Sequence, residues 1–322
     1  GPNDRPGIAL IGCGGQGRGV FSGATRFGDA IAVCDVDENH AESAAKQFTK
    51  DGKVPAKYTD FRKLLERDDV HAIINGTPDH WHTLINLLAA RTGKDIYSEK
   101  PLTLTIDEGK RLVKEVRDRK CILQVGSQQR SDRNFRLACE LVRNGRIGRL
   151  QHIIVGLPTG PHGGPFPEIP VPAGLNWDYW LGQAPVMPYN GKNCHGNFRW
   201  WYPFSGGQMT DWGAHHNDIA YWAIGLLAPR TVAARVLTQP IPGGYDAFSD
   251  YEVDYTYQNG VRLLIRTTRD DSIYGAKVKA DGQRNGIRFE GTNGWIWVNR
   301  DQLQASDPDL LRTPLPEGAV RL

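Results

Sequence analysis

No run of apolar residues in this 322-residue chain approaches the ~18–20 needed to cross a bilayer, so no membrane-spanning helix is expected. Neither charge sign is in excess. Against 36 Asp and Glu stand 39 Lys and Arg, and the formal net charge of +3 is too small to point to nucleic acid or a membrane surface as partner. The five cysteines (Cys13, Cys34, Cys121, Cys139 and Cys194) are scattered and contain no CxxC pair, so buried free thiols are expected. There is no internal repeat and no low-complexity tract. An initiator methionine is also missing: the chain opens Gly1-Pro2, which looks like the remnant of a removed affinity tag. The natural product is expected to start earlier, and to be either cytoplasmic or exported to the periplasm behind a removed N-terminal signal.

What is present is ordinary for a soluble globular protein, with 39% hydrophobic and 23% charged residues. Single cores rarely grow past about 250–300 residues. Two domains are therefore expected, 1–129 and 130–322.

Residues 7–127 alternate short apolar runs with longer amphipathic ones, as βαβ units and a parallel sheet do. Strands are expected at Ile8–Gly12, Ala30–Asp35, His71–Gly76, Asp95–Ser98 and Cys121–Val125. Helices are expected from the first glycine-rich turn to about Phe27, and at Glu38–Phe48, His80–Arg91 and Ile106–Asp118. After Gln129 the texture changes. A helix over Asp132–Asn144 leads to a strand at Leu150–Gly156, then a Gly/Pro-rich loop to Gly174, an aromatic stretch over 176–212 and a helix at Thr210–Gly225. Strand-like segments follow at 230–239, 249–258, 261–269, 286–291 and 294–298. Asn259-Gly260 and Asn293-Gly294 suit type I′ hairpins, which makes the second sheet mostly antiparallel.

Gly12-Cys13-Gly14-Gly15-Gln16-Gly17 fits G-x-G-x-x-G directly after an apolar strand and at the start of a helix. Asp35 ends the next strand, 23 positions beyond Gly12. That context is the dinucleotide-binding Rossmann fingerprint: glycines permit the tight turn and close approach to a pyrophosphate at the helix N-terminus, and the carboxylate accepts from ribose hydroxyls. Asp35, with Asp37 and Glu38 beside it, would repel a 2′-phosphate, so NAD rather than NADP is expected. Thr77-Pro78-Asp79-His80-Trp81-His82 and Glu99-Lys100-Pro101 follow two further strands, at the carboxyl edge where such sheets bind ligands.

The order of these motifs resembles the glucose–fructose oxidoreductase, inositol dehydrogenase and MocA family (Gfo/Idh/MocA). The segment Gly206-Gly207-Gln208-Met209-Thr210-Asp211-Trp212-Gly213-Ala214-His215-His216-Asn217-Asp218 is similar to that family's G-G-x-x-x-D-x-G-x-H-x-x-D pattern. The resemblance covers essentially the whole chain. It departs at Gln208, where the family has a third glycine, and in the Pro- and Trp-rich loop 156–208. The fold class implied is α/β: an N-terminal doubly wound parallel sheet plus a C-terminal α+β domain with a large, mostly antiparallel open sheet. Such sheets often serve oligomerisation, so a homo-oligomer, dimer or tetramer, is expected. Gly12, Gly14, Gly15, Gln16, Gly17, Asp35, Thr77, Pro78, His80, His82, Glu99 and Lys100 are the implied cofactor residues.

Oxidising a secondary alcohol needs a hydride acceptor, a base for the hydroxyl proton and a charge that holds the oxygen. By the resemblance, Lys100 hydrogen-bonds the reacting oxygen. His215 suits the proton step because histidine titrates near working pH, and Asp211, four residues earlier, is placed to orient it on one helix face. His216 points elsewhere and reads as structural. His80 with His82, and His215 with His216, also raise the question of zinc. His-x-His is strand spacing, however, whereas helical ligands sit three or four apart, so no metal is expected.

Trp177, Tyr179, Trp180, Tyr189, Trp200, Trp201, Tyr202 and Trp212 crowd one 36-residue stretch. Any one of them fits a core or subunit contact; the cluster suits stacking on a pyranose. Tyr189 and Trp201 are candidate substrate contacts, and His195, Arg199 and Arg130 candidate donors to substrate oxygens. The expected function is oxidation of a ring hydroxyl of a sugar or glycoside with NAD. A redox-neutral route, in which transient oxidation acidifies the neighbouring C–H and allows elimination of an aglycone, is the alternative, with His215 or Tyr189 as base. A non-catalytic sugar-binding protein is a further one, disfavoured by intact Lys100, Asp211 and His215.

Overall fold

Five consecutive buried residues, Gly7–Ile11, form β1, the strand around which the first sheet is built. Its side chains alternate between two faces, as a pleated strand requires. Ile8 and Leu10 join Phe21, Val33, Ala44 and Ala45, while Ala9 and Ile11 join Ala32, Leu64, Ile85 and Ala89. Both faces are covered, which is why the strand reads as an unbroken apolar run. The computed structural model describes residues 5–225, 228–269, 271–275, 278 and 284–322, so Gly1 and Pro2 lie outside the described residues.

After β1 come α1 (Gly15–Ala24), β2 (Asp29–Cys34), α2 (Glu38–Gln47), β3 (Ala56–Tyr58), α3 (Phe61–Leu65), β4 (Ala72–Asn75), α4 (Asp79–Arg91), β5 (Asp95–Ser98), α5 (Ile106–Arg119) and β6 (Leu123–Val125). The six strands are parallel in the order β3-β2-β1-β4-β5-β6. This is the doubly wound Rossmann arrangement, with the carboxyl ends of β1, β2, β4 and β5 along one edge. The sequence reading omits β3 and α3, because a three-residue strand and a five-residue helix are too short to display a period.

The chain continues through α6 (Arg133–Arg143), β7 (Leu150–Pro158), α7 (Trp177–Leu181), α8 (Trp212–Ile224), β8 (Pro229–Thr238), β9 (Asp250–Tyr257), β10 (Arg262–Thr268), β11 (Gly286–Gly291), β12 (Gly294–Val298), β13 (Leu303–Ala305) and α9 (Asp309–Arg312). Among the described residues the second sheet has seven strands in the order β13-β12-β11-β7-β10-β9-β8, and only β7 and β10 pair in parallel. Ile153, Val155 and Leu157 of β7 pack with Phe135, Ala138 and Leu141 of α6 and with Ile219, Ala220 and Ala223 of α8. The two Asn-Gly pairs do join antiparallel strands, but not as type I′ turns. Asn259 and Asn293 are not among the described non-glycine residues with positive φ, and Gly260 takes the left-handed conformation (φ +82) after a turn closed by its N–H on the Tyr257 carbonyl. Among the described residues no helix is long and apolar enough to cross a membrane. The cysteines are free thiols, four of them buried and Cys121 half-buried.

Two compact units emerge, residues 1–126 with 166–205, and residues 127–165 with 206–322. This differs from the division at 129/130, because the segment 166–205 packs with the first sheet. Backbone hydrogen bonds make part of the attachment: Glu38 N–H donates to the Gly174 carbonyl and Asn176 N–H to that of Val36, each at 2.9 Å. Aromatic packing and side-chain hydrogen bonds make the rest.

Candidate active site

Where β1 ends, the chain turns through Gly12 at φ +87. A Cβ there would lie 2.6 Å from the backbone of Gly76, and one on Gly17 would lie 2.1 Å from the Gly12 carbonyl oxygen. Neither position admits a side chain. Gly14 and Gly15 are the opposite case: an added Cβ would meet nothing within 4 Å. Gly14 is the N-cap of α1, and no side chain caps the helix there. The first N–H groups of α1 and the positive end of its dipole therefore open onto free space at the carboxyl edge of the sheet, the environment a pyrophosphate requires.

Asp35 follows β2. Its Oδ2 accepts from Cys13 N–H at 2.7 Å and its Oδ1 from Asp37 N–H at 2.9 Å, so the carboxylate links the glycine turn to the start of α2. A carboxylate offers about four acceptor sites, which leaves capacity for ribose hydroxyls. Gln16 Nε2 donates to buried Glu99 Oε1 at 3.1 Å, tying the same turn to the loop that carries Lys100. The chemistry of these groups fits a dinucleotide.

Thr77 and Pro78 follow β4, and Glu99, Lys100 and Pro101 follow β5. His82 joins the two loops: Nδ1 lies 2.6 Å from the Pro101 carbonyl and Nε2 2.8 Å from that of Thr77. Burial lowers its pKa, against the pull of both carbonyls and of the Glu99 carboxylate. A buried polar chain fixes the same strand ends. Thr77 Oγ1 donates to Asn75 Oδ1 at 2.7 Å, Asn75 Nδ2 to Asn86 Oδ1 at 2.9 Å, and Asn86 Nδ2 to Ser98 Oγ at 2.9 Å. Such networks rigidify when every member is satisfied. The sequence reading missed Asn75, Asn86 and Ser98. A polar residue closing the apolar strand Ala72–Asn75 was the available signal.

His80 does not reach the cofactor edge expected of it. It is 1% exposed, its Nε2 donates to the Trp180 carbonyl at 3.0 Å, and its ring packs against Trp180 and Phe204. Burial pulls its pKa down to about 4. Trp81 Nε1 donates to the same carbonyl at 2.9 Å, and Gln183 donates to the His80 carbonyl. Trp177 stacks on Trp180 with centroids 4.8 Å apart, and Phe204 meets Trp180 edge-on at 4.9 Å. Segment 166–205 has one short α-helix, so its rings are needed to hold it to α4.

That packing corrects the reading of Tyr189 and Trp201 as sugar platforms. Tyr189 is 8% exposed with its ring edge-on to Trp177, and Trp201 is 6% exposed with its Nε1 donating to the Lys192 carbonyl at 2.7 Å. Arg199 lies over the Phe198 ring and donates to the Gly196 carbonyl at 3.0 Å. His195 sits at the β2–α2 connection: its Nε2 is 3.3 Å from Asp37 Oδ2 and its ring 4.6 Å from that of His40. The Asp35 carboxylate, 3.6 Å away, raises the pKa of His40, whereas burial and then His40 lower that of His195.

The second unit carries Asp211 and His215. Asp211 immediately precedes α8, at φ −84 and ψ −83, with its N–H on the Gly207 carbonyl at 3.0 Å. It stands before the helix rather than one turn down it from His215, which is buried in the first turns of α8. His216 is fully buried. Gln129 Nε2 donates to its Nδ1 and its Nε2 donates to Asn285 Oδ1, each at 3.2 Å, and burial pulls its pKa down to about 3. Arg130 corrects another expectation. Its guanidinium grips Asp218 through two bonds of 2.6 and 2.8 Å and lies 5.0 Å from the Trp222 ring, so it is committed to packing α8 rather than to a substrate oxygen. Nothing in the sequence pattern marks Asp218, last residue of the second motif, as its partner.

A family model described as "Oxidoreductase family, NAD-binding Rossmann fold" matches residues 7–127, and its companion, "Oxidoreductase family, C-terminal alpha/beta domain", matches residues 164–292. The chain belongs to this Gfo/Idh/MocA oxidoreductase family, and residues 7–127 form an NAD-binding Rossmann domain. Among its relatives, inositol 2-dehydrogenase/D-chiro-inositol 3-dehydrogenase of Lacticaseibacillus casei is 34% identical over 145 residues, 44% of this chain and 41% of that protein. Levoglucosan dehydrogenase of Pseudarthrobacter phenanthrenivorans is 30% identical over 118 residues, 37% of this chain and 29% of that protein. A glycosyl hydrolase family 109 protein of Saccharopolyspora erythraea is 36% identical over 152 residues, 44% of this chain and 33% of that protein. The matched stretch thus spans less than half of each of these three relatives. A solved levoglucosan dehydrogenase in complex with NADH and levoglucosan superposes with a TM-score of 0.69 at 21% identity, over 94% of this chain and 77% of that one. That likeness is one of fold.

Proposed function

We propose that this protein oxidises a ring hydroxyl of a sugar or sugar derivative, reversibly, with NAD. The observation that carries the reading is the uncapped N-terminus of α1, with Gly14 and Gly15 facing open space and Asp35 closing the adjacent strand. Bound there, the nicotinamide supplies the hydride acceptor. Lys100, on the loop that His82 braces, donates to the substrate oxygen and stabilises its developing negative charge. His215 removes the hydroxyl proton, and Asp211 orients it. The relatives named for inositol and levoglucosan support a polyhydroxylated ring as substrate.

The test is a panel of cyclitols, pyranoses and glycosides with NAD, followed by NADH absorbance. Appearance of NADH with at least one ring polyol supports the reading; calorimetry showing that the parent binds no NAD removes it. The redox-neutral route is favoured by one specific observation, the similarity to proteins named glycosyl hydrolase family 109. Aglycone release from a glycoside without net NADH selects it. We also propose a homo-oligomer, dimer or tetramer, supported by β8, a ten-residue, mostly exposed strand at the edge of the second sheet with one side unpaired among the described residues. Light scattering on the eluting peak tests it.

A further inference from the structure

The sequence pairs of histidines diverge in the structure, but a different group converges. We propose that Asp37, His40 and His195 bind a divalent transition-metal ion of the zinc type. The three side chains each offer one ligand atom, all within 4.8 Å of one another. They come from two separated parts of the first unit: Asp37, the N-cap of α2, and His40 in the first turn of that helix, and His195 from the segment 166–205.

One of the three ligand pairs already stands at the spacing the ion needs. Asp37 Oδ2 and His195 Nε2 are 3.3 Å apart. With metal–ligand bonds of about 2.0–2.1 Å, that separation subtends roughly 105–110° at the metal, close to tetrahedral. Asp37 is prepared for the role, since its Oδ1 accepts from Asn39 N–H at 2.9 Å as the cap of α2 and Oδ2 is turned to His195. Asp35, 3.6 Å from His40 Nδ1, occupies the place of the outer carboxylate that orients a ligating imidazole. His195 is one of three described non-glycine residues with positive φ, at +47. For a histidine that backbone is strained, and strain of this kind is retained where a side chain must be aimed. Three protein ligands leave a fourth position for water or another small ligand. The ion would fasten segment 166–205 to the strand end that carries Asp35, a role independent of the hydride-transfer reading.

The test uses the full-length chain stripped of metal by chelator and titrated with Co²⁺, whose visible absorption reports a four-coordinate site, then displaced by Zn²⁺. One ion per chain is expected, with a raised thermal midpoint. Asparagine tolerates the left-handed backbone, so His195→Asn removes a ligand without adding strain; it should weaken binding at least as much as loss of an outer-sphere partner does, about 10–100-fold. His40→Gln is the second variant, and should also weaken binding and lose the Zn²⁺-dependent thermal shift. Absence of stoichiometric Co²⁺ binding, or binding undiminished in both variants, overturns the proposal and leaves an Asp–His contact only.

Discussion

His80 donates its Nε2 proton to the carbonyl oxygen of Trp180, 3.0 Å away and 100 residues further along the chain. Through that bond a histidine beside a strand end of the Rossmann sheet holds the aromatic segment that follows the first strand of the second sheet. The ring is buried between Trp180 and Phe204 and is neutral at working pH.

That burial makes stability depend on pH. The folded pKa of His80, about 4, lies below the 6.5 of an unperturbed histidine, so the unfolded chain takes up the proton first as pH falls. The contribution is fully present above about pH 6.5 and is lost progressively towards pH 4. Between pH 6.5 and 5 the loss should reach roughly 2 kcal/mol from this one group. His80→Gln retains a donor for the Trp180 carbonyl and cannot titrate. Denaturant unfolding at pH 7 and pH 5 should show a smaller drop for the variant; equal drops would remove His80 from the acid response.

Asp35 holds backbone, and in the proposed function it also sets the choice of cofactor. The parent should bind NAD more tightly than NADP, and Asp35→Ala should narrow the difference as measured by calorimetry. The variant should lose stability too, because two backbone donors lose their acceptor, at about 1–3 kcal/mol for each group left unsatisfied. Tighter NADP binding by the parent contradicts the assignment.

If Lys100 and His215 act on the reacting hydroxyl, Lys100→Met and His215→Asn should each lower kcat by about 10²–10⁴-fold, the range for positioned acid/base groups. NAD affinity should change little in His215→Asn, since that residue belongs to the unit without the glycine-rich turn. Near-normal turnover in His215→Asn would take it out of the proton step.

Trp201 should behave as a core residue. Its indole is 6% exposed and bonded to the Lys192 carbonyl, so Trp201→Ala should cost about 3–5 kcal/mol of stability while leaving the KM of an accepted sugar unchanged. A melting temperature close to the parent's together with a raised KM would restore the ring to the substrate.

The first sheet and its glycine-rich turn were legible in the sequence because the information is local. A strand buried on both faces must be continuously apolar, as Gly7–Ile11 is, and a pyrophosphate turn must spend glycines at Gly12 and Gly17, where a Cβ would collide with backbone. Asp35 is readable for the same reason, one strand and one turn away. The fate of the polar and aromatic residues after Gln129 was not. Arg130 is claimed by Asp218, 88 positions on, and His195 by Asp37, whose carboxylate lies far back in the chain. Tyr189 and Trp201, plausible as sugar platforms from their spacing, are consumed in packing a segment that has little regular backbone of its own. Periodicity records which face of an element is apolar; which distant partner meets that face, and whether a charged or aromatic side chain is left over for a ligand, is decided only when the packed chain brings the two together.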